Sequence, residues 1–390
     1  MNARQTLRGL RPERAAFVAL LAIMGLNLLW FGPGMGGDTP TYLLWADRLR
    51  ASHFDLIGEI RAFNQPAAIT YSLFVTLLAL LRMLGPAWLA GLLVLNLVAM
   101  AAVGALVVRL VVRITGDRRC GWIALVLLLA CHDLWQWSRY LLSDPIFLLL
   151  AYGVFLMEAR RLLGVRKRWL TVFAASAVAS LFRPTGIVMF PITAWSFLLA
   201  NTANTRLSRR RILAGLVVIG ALGLGLFGAI VQAPGHWPLG PTRPLFDLIA
   251  SDYAKGQVVW DRLETFHASP QGLTDVWLIS LDRLWHYFAI GAAGFSHGHW
   301  LVNLVFFVPT YALAGYFVVR LVGGRSRLGR GEQNVCYAAL GAIVFYALFH
   351  GAIQVDYDWR YRVPILPHLI LLAACGAGEL FAGRREVQTG

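Results

Sequence analysis

Long apolar runs separated by short polar gaps dominate the chain. The runs at 15–31 and 212–233 approach or exceed the ~20 residues that cross a ~30 Å hydrocarbon core. Further crossings are predicted at 301–319, 335–353 and 365–382. Four shorter runs, at 121–130, 146–157, 170–182 and 187–200, fall short of full spans. They predict a region where polar backbone lines a cavity instead of meeting lipid. No segment alternates apolar and polar over about ten residues, as a barrel strand does. The pattern predicts an all-α, polytopic membrane helical bundle, with 1–390 as one membrane domain.

Composition agrees with that pattern: 58% of residues are hydrophobic and 14% charged. The net charge of +15 could point to nucleic acid, but its placement excludes that class. The basic residues sit in short gaps: Arg4 to Arg14, Arg109 to Arg119, Arg160 to Arg168, Arg206 to Arg211, Arg320 to Arg330, and Arg384 with Arg385. This is the positive-inside distribution, so those gaps face the cytoplasm. The remaining gaps, 32–65, 132–145, 183–186, 234–300 and 354–364, form the external face. The first apolar run follows a charged start as a signal peptide does, but it is long and lacks a clean cleavage site, so it reads as a retained helix. Cys120, Cys131, Cys336 and Cys375 show no paired spacing and imply no disulfide or metal site.

One count does not close. With Asp38 and Asp144 outside and Arg113 to Arg119 inside, residues 66–108 must cross an odd number of times. Their hydropathy reads as two helices broken at Gly85-Pro86.

Topology leaves a few external charges unexplained, and charge at membrane depth is costly unless paired or functional. Asp38 in GGDTPTYLLWADRL and Asp144 in SRYLLSDPIFLLL each stand beside a helix start. Each fits an N-cap with proline in the first turn, and each could also do chemistry. Arg183 lies between two short apolar runs, where pairing with Asp38 or Asp144 is expected. Arg360 and Arg362 in DYDWRYRVPILP oppose both the positive-inside bias and the helix dipole. They call for an anionic partner, and a phosphate suits the guanidinium fork. In 234–300, Trp237, Trp260, Trp277, Trp285 and Trp300 read as an interfacial belt or a platform for sugar rings. The stretch 275–288 reads as an amphipathic helix lying on the membrane. His297 and His299 could serve as metal ligands but read first as interfacial polar residues, and no His/Asp cluster shows a legible ligand geometry.

Four segments in order, GGDTPTYLLWADRL, QWSRYLLSDPIFLLL, SLFRPTGIVMFP and RYRVPILPHLILLAACG, resemble the GT-C superfamily of integral-membrane glycosyltransferases. The likeness is to bacterial members related to protein O-mannosyltransferases and lipid A aminoarabinose transferases. The resemblance implies a GT-C type bundle with external amphipathic loop helices. It implies inverting transfer of a sugar from a polyprenyl-phosphate donor to a hydroxyl of a periplasmic glycan, lipid or protein, in a bacterial inner membrane. Asp38 then matches the catalytic base and Asp144 the second acid. Tyr42, Arg139, Arg183, Arg360, Tyr361 and Arg362 fall on the substrate side, and a divalent metal is compatible with the family. The sequence departs from relatives where Thr39, not a second acid, follows Asp38, and where Asn64-Gln65-Pro66 replaces a Lys-Pro-Pro or His-Pro-Pro. A transporter or flippase of a lipid-linked sugar is the alternative; it would carry charges at mid-helix and inverted repeats.

Overall fold

A computed structural model describes residues 11–63, 69–165, 168–201, 273–291, 295–352 and 359–389. Every regular element among them is helical. In chain order they are α1 (Pro12–Phe31), α2 (Thr39–Ala51), α3 (Leu56–Phe63), α4 (Ser72–Arg82), α5 (Trp88–Thr115), α6 (Arg118–Ala130) and α7 (His132–Trp135). Then follow α8 (Asp144–Leu162), α9 (Trp169–Ser180), α10 (Met189–Asn201), α11 (Leu273–Phe288), α12 (His297–Val322), α13 (Arg330–Ala352) and α14 (Leu366–Thr389). The run at 212–233, most of 234–300 and residues 354–358 lie outside the described residues.

Among the described residues, six stretches are long and apolar enough to cross a membrane: Pro12–Phe31, Gly85–Thr115, Pro184–Asn201, His297–Val322, Arg330–Ala352 and Arg360–Phe381. The chain is therefore an integral membrane protein, and its helices share two ends. One end carries Asp38, Asp133, Asp144, Arg183, Arg360 and Arg362, and we refer to it as the site end. The other, the basic end, carries Arg109, Arg113, Arg160 and Arg320.

The last crossing is the hub. Its apolar window is 89% buried, against 17% for that of α1. The run Ala373-Ala374-Cys375-Gly376-Ala377-Gly378 explains the difference, because small residues let neighbouring backbones close in. A Cβ at Gly376 would run into the Leu313 carbonyl of α12, and one at Gly378 would sit 2.9 Å from Cys120 Sγ of α6. Packed against α14 are α5, α6, α12 and α13. By contrast α1 leaves Leu29, Trp30 and Phe31 exposed at its site end, as a peripheral lipid-facing helix does.

Residues 66–108 resolve their own count. Among the described residues there, Gly85–Thr115 is the one stretch long enough to cross. The 11-residue α4 reaches only ~17 Å at 1.5 Å per residue. It packs on α2, with Arg82 Nε 3.0 Å from Asp47 Oδ1 and Phe74 edge-on to Tyr42. One crossing and one short helix beside the site end restore odd parity.

The run at 146–157 is longer than its hydropathy predicts, because α8 continues for 19 residues to Leu162. Glu158 reads as an end in sequence. In the fold its carboxylate accepts from Thr193 Oγ1 at 2.6 Å and Ser196 Oγ at 2.9 Å, both on α10. Two hydroxyls make the buried acid compatible with a helix interior. The expected helix at 275–288 is present as α11, which packs along α13.

Candidate functional site

Two loops meet at the site end because their backbones can approach closely. After α1, the chain Gly32 to Gly37 runs beside Tyr140 to Leu142. Gly34 N donates to Arg139 O at 2.9 Å, and Leu141 N donates to Gly34 O at 3.0 Å. A Cβ at Gly34 would lie 2.7 Å from the Tyr140 ring, and one at Gly36 would lie 2.7 Å from Leu142. Glycine is required at both positions for that approach. Thr39 finishes the junction: Gly36 N donates to its Oγ1 at 2.9 Å, and that hydroxyl donates to Leu141 O at 3.0 Å. From α5, Asn96 Nδ2 donates to Tyr140 O at 2.9 Å. The first acid is thus delivered by a loop pinned to the second.

Asp38 occupies the N-cap position of α2 with proline in the first turn, as the sequence predicts, but its side chain caps nothing. Its Oδ2 instead takes Arg360 Nη1 at 3.0 Å and the Tyr42 hydroxyl at 3.2 Å. Burial, with Tyr71 and Asp38 beside it, holds the Tyr42 phenol well above its ordinary pKa. Tyr42 therefore stays a neutral donor to the carboxylate.

Asp144 likewise is not the cap of its helix. Ser143 holds the N-cap position, and Asp144 is the first residue of α8. Its carboxylate pairs with Arg183, and both side chains are buried. Arg183 arrives from the turn between α9 and the 3-10 helix Pro184–Val188. Gly186 allows that turn, since a Cβ there would sit 2.5 Å from the Ser180 backbone.

Arg360, Tyr361 and Arg362 belong to the 3-10 helix Trp359–Ile365 that leads into α14. At three residues per turn, positions two apart point in different directions. Arg360 accordingly reaches Asp38, and Arg362 reaches Asp133 at the start of α7. Asp133 Oδ2 takes Arg362 Nε at 3.1 Å and Nη2 at 2.8 Å. Arg362 also donates to Ala289 O and lies 4.2 Å from the Phe307 ring centroid. The ring of Tyr361 sits between two guanidinium groups, 5.1 Å from Arg360 and 5.5 Å from Arg183. That shared ring joins the Asp38 and Asp144 pairs into one cluster.

Three acids and three arginines therefore meet at one end, each acid with an arginine partner. They differ in access. The Asp38 side chain is 41% exposed, whereas those of Asp144 and Asp133 are at 5% and 0%. Among the described residues, Asp38 alone of the three offers an oxygen to solvent.

Other sequence expectations fare differently. Arg362 has a partner within the protein, the Asp133 carboxylate. Arg139 is not brought to an acid: it donates to Gly32 O at 3.2 Å and Tyr140 Oη at 3.0 Å and covers the Phe31 and Tyr140 rings. It clamps the turn that carries Asp38. Asp133 has no role in the sequence reading, and its signal was an acid three residues past the end of the apolar run at 121–130. His297 is exposed at the start of α12, as an interfacial residue should be. His299 is not simply interfacial, because it joins His132 and Asp133.

No protein-family model matches the chain, and no curated protein or solved structure matches it.

Proposed function

We propose that the chain is an inverting glycosyltransferase of the GT-C type. It moves a sugar from a polyprenyl-phosphate donor onto a hydroxyl of a glycan, lipid or protein, and its site end faces the periplasm. The observation that carries this reading is the half-exposed Asp38 carboxylate, held on one oxygen by a buried arginine and a neutral phenol. That is the arrangement a general base requires: one oxygen fixed, the other open.

In this reaction the acceptor oxygen bonds to the anomeric carbon as the bond from that carbon to the phosphate oxygen breaks. The acceptor proton passes to Asp38 Oδ1, since Oδ2 is occupied by Arg360 and Tyr42. The bonding electrons leave with the polyprenyl phosphate. Arg360 is the nearest cation to the base, and its fork can share itself with the departing phosphate. Attack from the face opposite the phosphate inverts the anomeric centre. Asp144 with Arg183, and Asp133 with Arg362, are buried pairs that position Tyr361 and the strip carrying Arg360. The short helices α2, α3 and α4 and the amphipathic α11 supply walls at that end for donor and acceptor.

The test is turnover of radiolabelled polyprenyl-phosphate sugars in membranes containing the wild type or Asp38→Asn. Loss of a positioned general base lowers the rate by roughly 10²–10⁴-fold. The reading predicts accumulation of the lipid-linked sugar, or disappearance of one glycan, in the variant alone. Equal pools and equal glycans in both membranes would count against it.

A further inference from the structure

Beside the Asp133–Arg362 pair the structure gathers a second kind of chemistry. His132, Asp133 and His299 each offer one ligand atom, and those atoms all lie within 4.8 Å of one another. We propose that these three residues form a binding site for a transition-metal dication of the zinc, cobalt or manganese class. The site rests on its own geometry and does not depend on the transfer reading.

The donor types come first. Two imidazoles and one carboxylate are a common protein set for such ions, with coordination positions left open. Ligand atoms of a tetrahedral site with ~2.0–2.1 Å bonds sit roughly 3.4 Å apart. Closing the set from its present separation takes about an ångström of side-chain movement. His132 and Asp133 are neighbours in the turn after α6, which bends by 69° into the helices that follow. His299 comes from the first turn of α12, far away in sequence, so an ion would tie two separate segments together.

The unused valences point the same way. Asp133 spends Oδ2 on Arg362, while its Oδ1 is buried and has no hydrogen-bond partner. His132 Nδ1 is also buried without one. A buried carboxylate oxygen and a buried imidazole nitrogen left unmatched call for an explanation, and a bound ion supplies one. Arg362 serves as the outer support that metal-ligating carboxylates usually have: it fixes one oxygen and leaves the other for the ion.

The rings are also held in place. His132 packs edge-on against Trp135 with centroids 4.7 Å apart, and His299 stacks on Phe295 at 4.5 Å and 12°. Ser296 caps the helix, accepting from His299 N at 3.3 Å, which sets where the His299 ring emerges. With Arg362 adjacent, a bound dication outweighs the single Asp133 charge, so its open positions would favour an anionic ligand such as a phosphate oxygen.

The experiment uses the full chain, purified in detergent with any affinity tag removed and stripped with chelator. Zn²⁺ or Co²⁺ is added, free ion is removed, and retained metal is measured by mass spectrometry. The expected result is about one equivalent in the wild type, with Co²⁺ giving the visible absorption of a low-coordinate, histidine-bound ion. His299→Ala, at a partly exposed helix start, is expected to fold and to bind at least tenfold more weakly. His297→Ala, two residues away, is the control and is expected to bind as the wild type does. No retained metal in the wild type would overturn the proposal. So would equal retention in His299→Ala and the wild type, because the ion would then sit elsewhere. Turnover is not the readout, so failure here leaves the transferase reading standing, and the reverse also holds.

Discussion

At the site end, Arg183, Arg360 and Arg362 are only 3%, 6% and 5% exposed, and each meets a carboxylate. At the basic end, Arg109, Arg113 and Arg160 are exposed, with no carboxylate paired to them among the described residues. Together with Leu106, Leu110 and Leu156 they line an open cavity of about 230 Å³. The same side chain is used in opposite ways. At the basic end water and lipid headgroups solvate the charge, so the arginines need only stay at the interface. At the site end the charge is withdrawn from water, and a buried ion is tolerable only with a partner and further hydrogen bonds. The buried arginines of the site end, each on a carboxylate, thus differ from the exposed Arg109, Arg113 and Arg160, although Arg320 at the basic end also meets a buried acid, Glu379, at 3.2 Å.

The contrast is broken most severely at Asp133. Asp133→Ala leaves Arg362 buried with no counter-ion, and stripping one partner from such a pair costs ~3–5 kcal/mol. Thermal unfolding in detergent should show a large drop in midpoint, and the double variant Asp133→Ala with Arg362→Leu should recover much of it. A small drop for Asp133→Ala alone would mean that Arg362 is solvated after all.

Gly34→Val comes next. Its side chain would press into the Tyr140 ring, and overpacking of this kind costs ~1–3 kcal/mol. Because the same loop carries Asp38, turnover should fall more than stability does. A normal turnover would show that the junction of the two loops does not set the position of the base.

Glu158→Gln should be milder, within ~1.5 kcal/mol, since the amide oxygen can still accept from one hydroxyl while its NH2 donates to the other. Glu158→Ala should cost more, because it strands two buried hydroxyls. Equal midpoints for the two variants would argue that these hydroxyls do not hold α8 to α10. The smallest effect belongs to the basic end: Arg109→Gln and Arg113→Gln should each stay within ~0.5 kcal/mol of the wild type. A loss there as large as at Asp133 would erase the distinction between the two ends.

The features legible in the sequence were those written locally. Apolar runs marked α1, α12 and α13 to within about five residues and the start of α14, which runs seven residues past its predicted end, and the amphipathic stretch at 275–288 marked α11. Asp38, Asp144, Arg183, Arg360 and Arg362 stood out as charges that topology could not explain, and the fold gathers all five at one end. Partner choice was not legible, because it depends on contacts far apart in sequence. Asp133 and Arg362 are separated by 229 positions, and nothing near either residue names the other. Capping was the wrong expectation for the two acids, since a buried arginine outcompetes backbone amides for a carboxylate. Glu158 hid the true length of α8, because a hydropathy pattern cannot register two hydroxyls waiting on another helix. His299 looked like one of two interfacial histidines, and only the turn after α6 gives it companions.

The central claim is that Asp38 is the working carboxylate and that Asp144, though it carries the same charge, is structural. The most direct measurement compares Asp38→Asn with Asp144→Asn for both sugar turnover and thermal midpoint, in the same membranes and detergent. The account predicts that Asp38→Asn loses turnover by roughly 10²-fold or more while its midpoint stays near that of the wild type. It predicts that Asp144→Asn lowers the midpoint, with turnover falling only as folded protein is lost. Full turnover in a well-folded Asp38→Asn protein would contradict it.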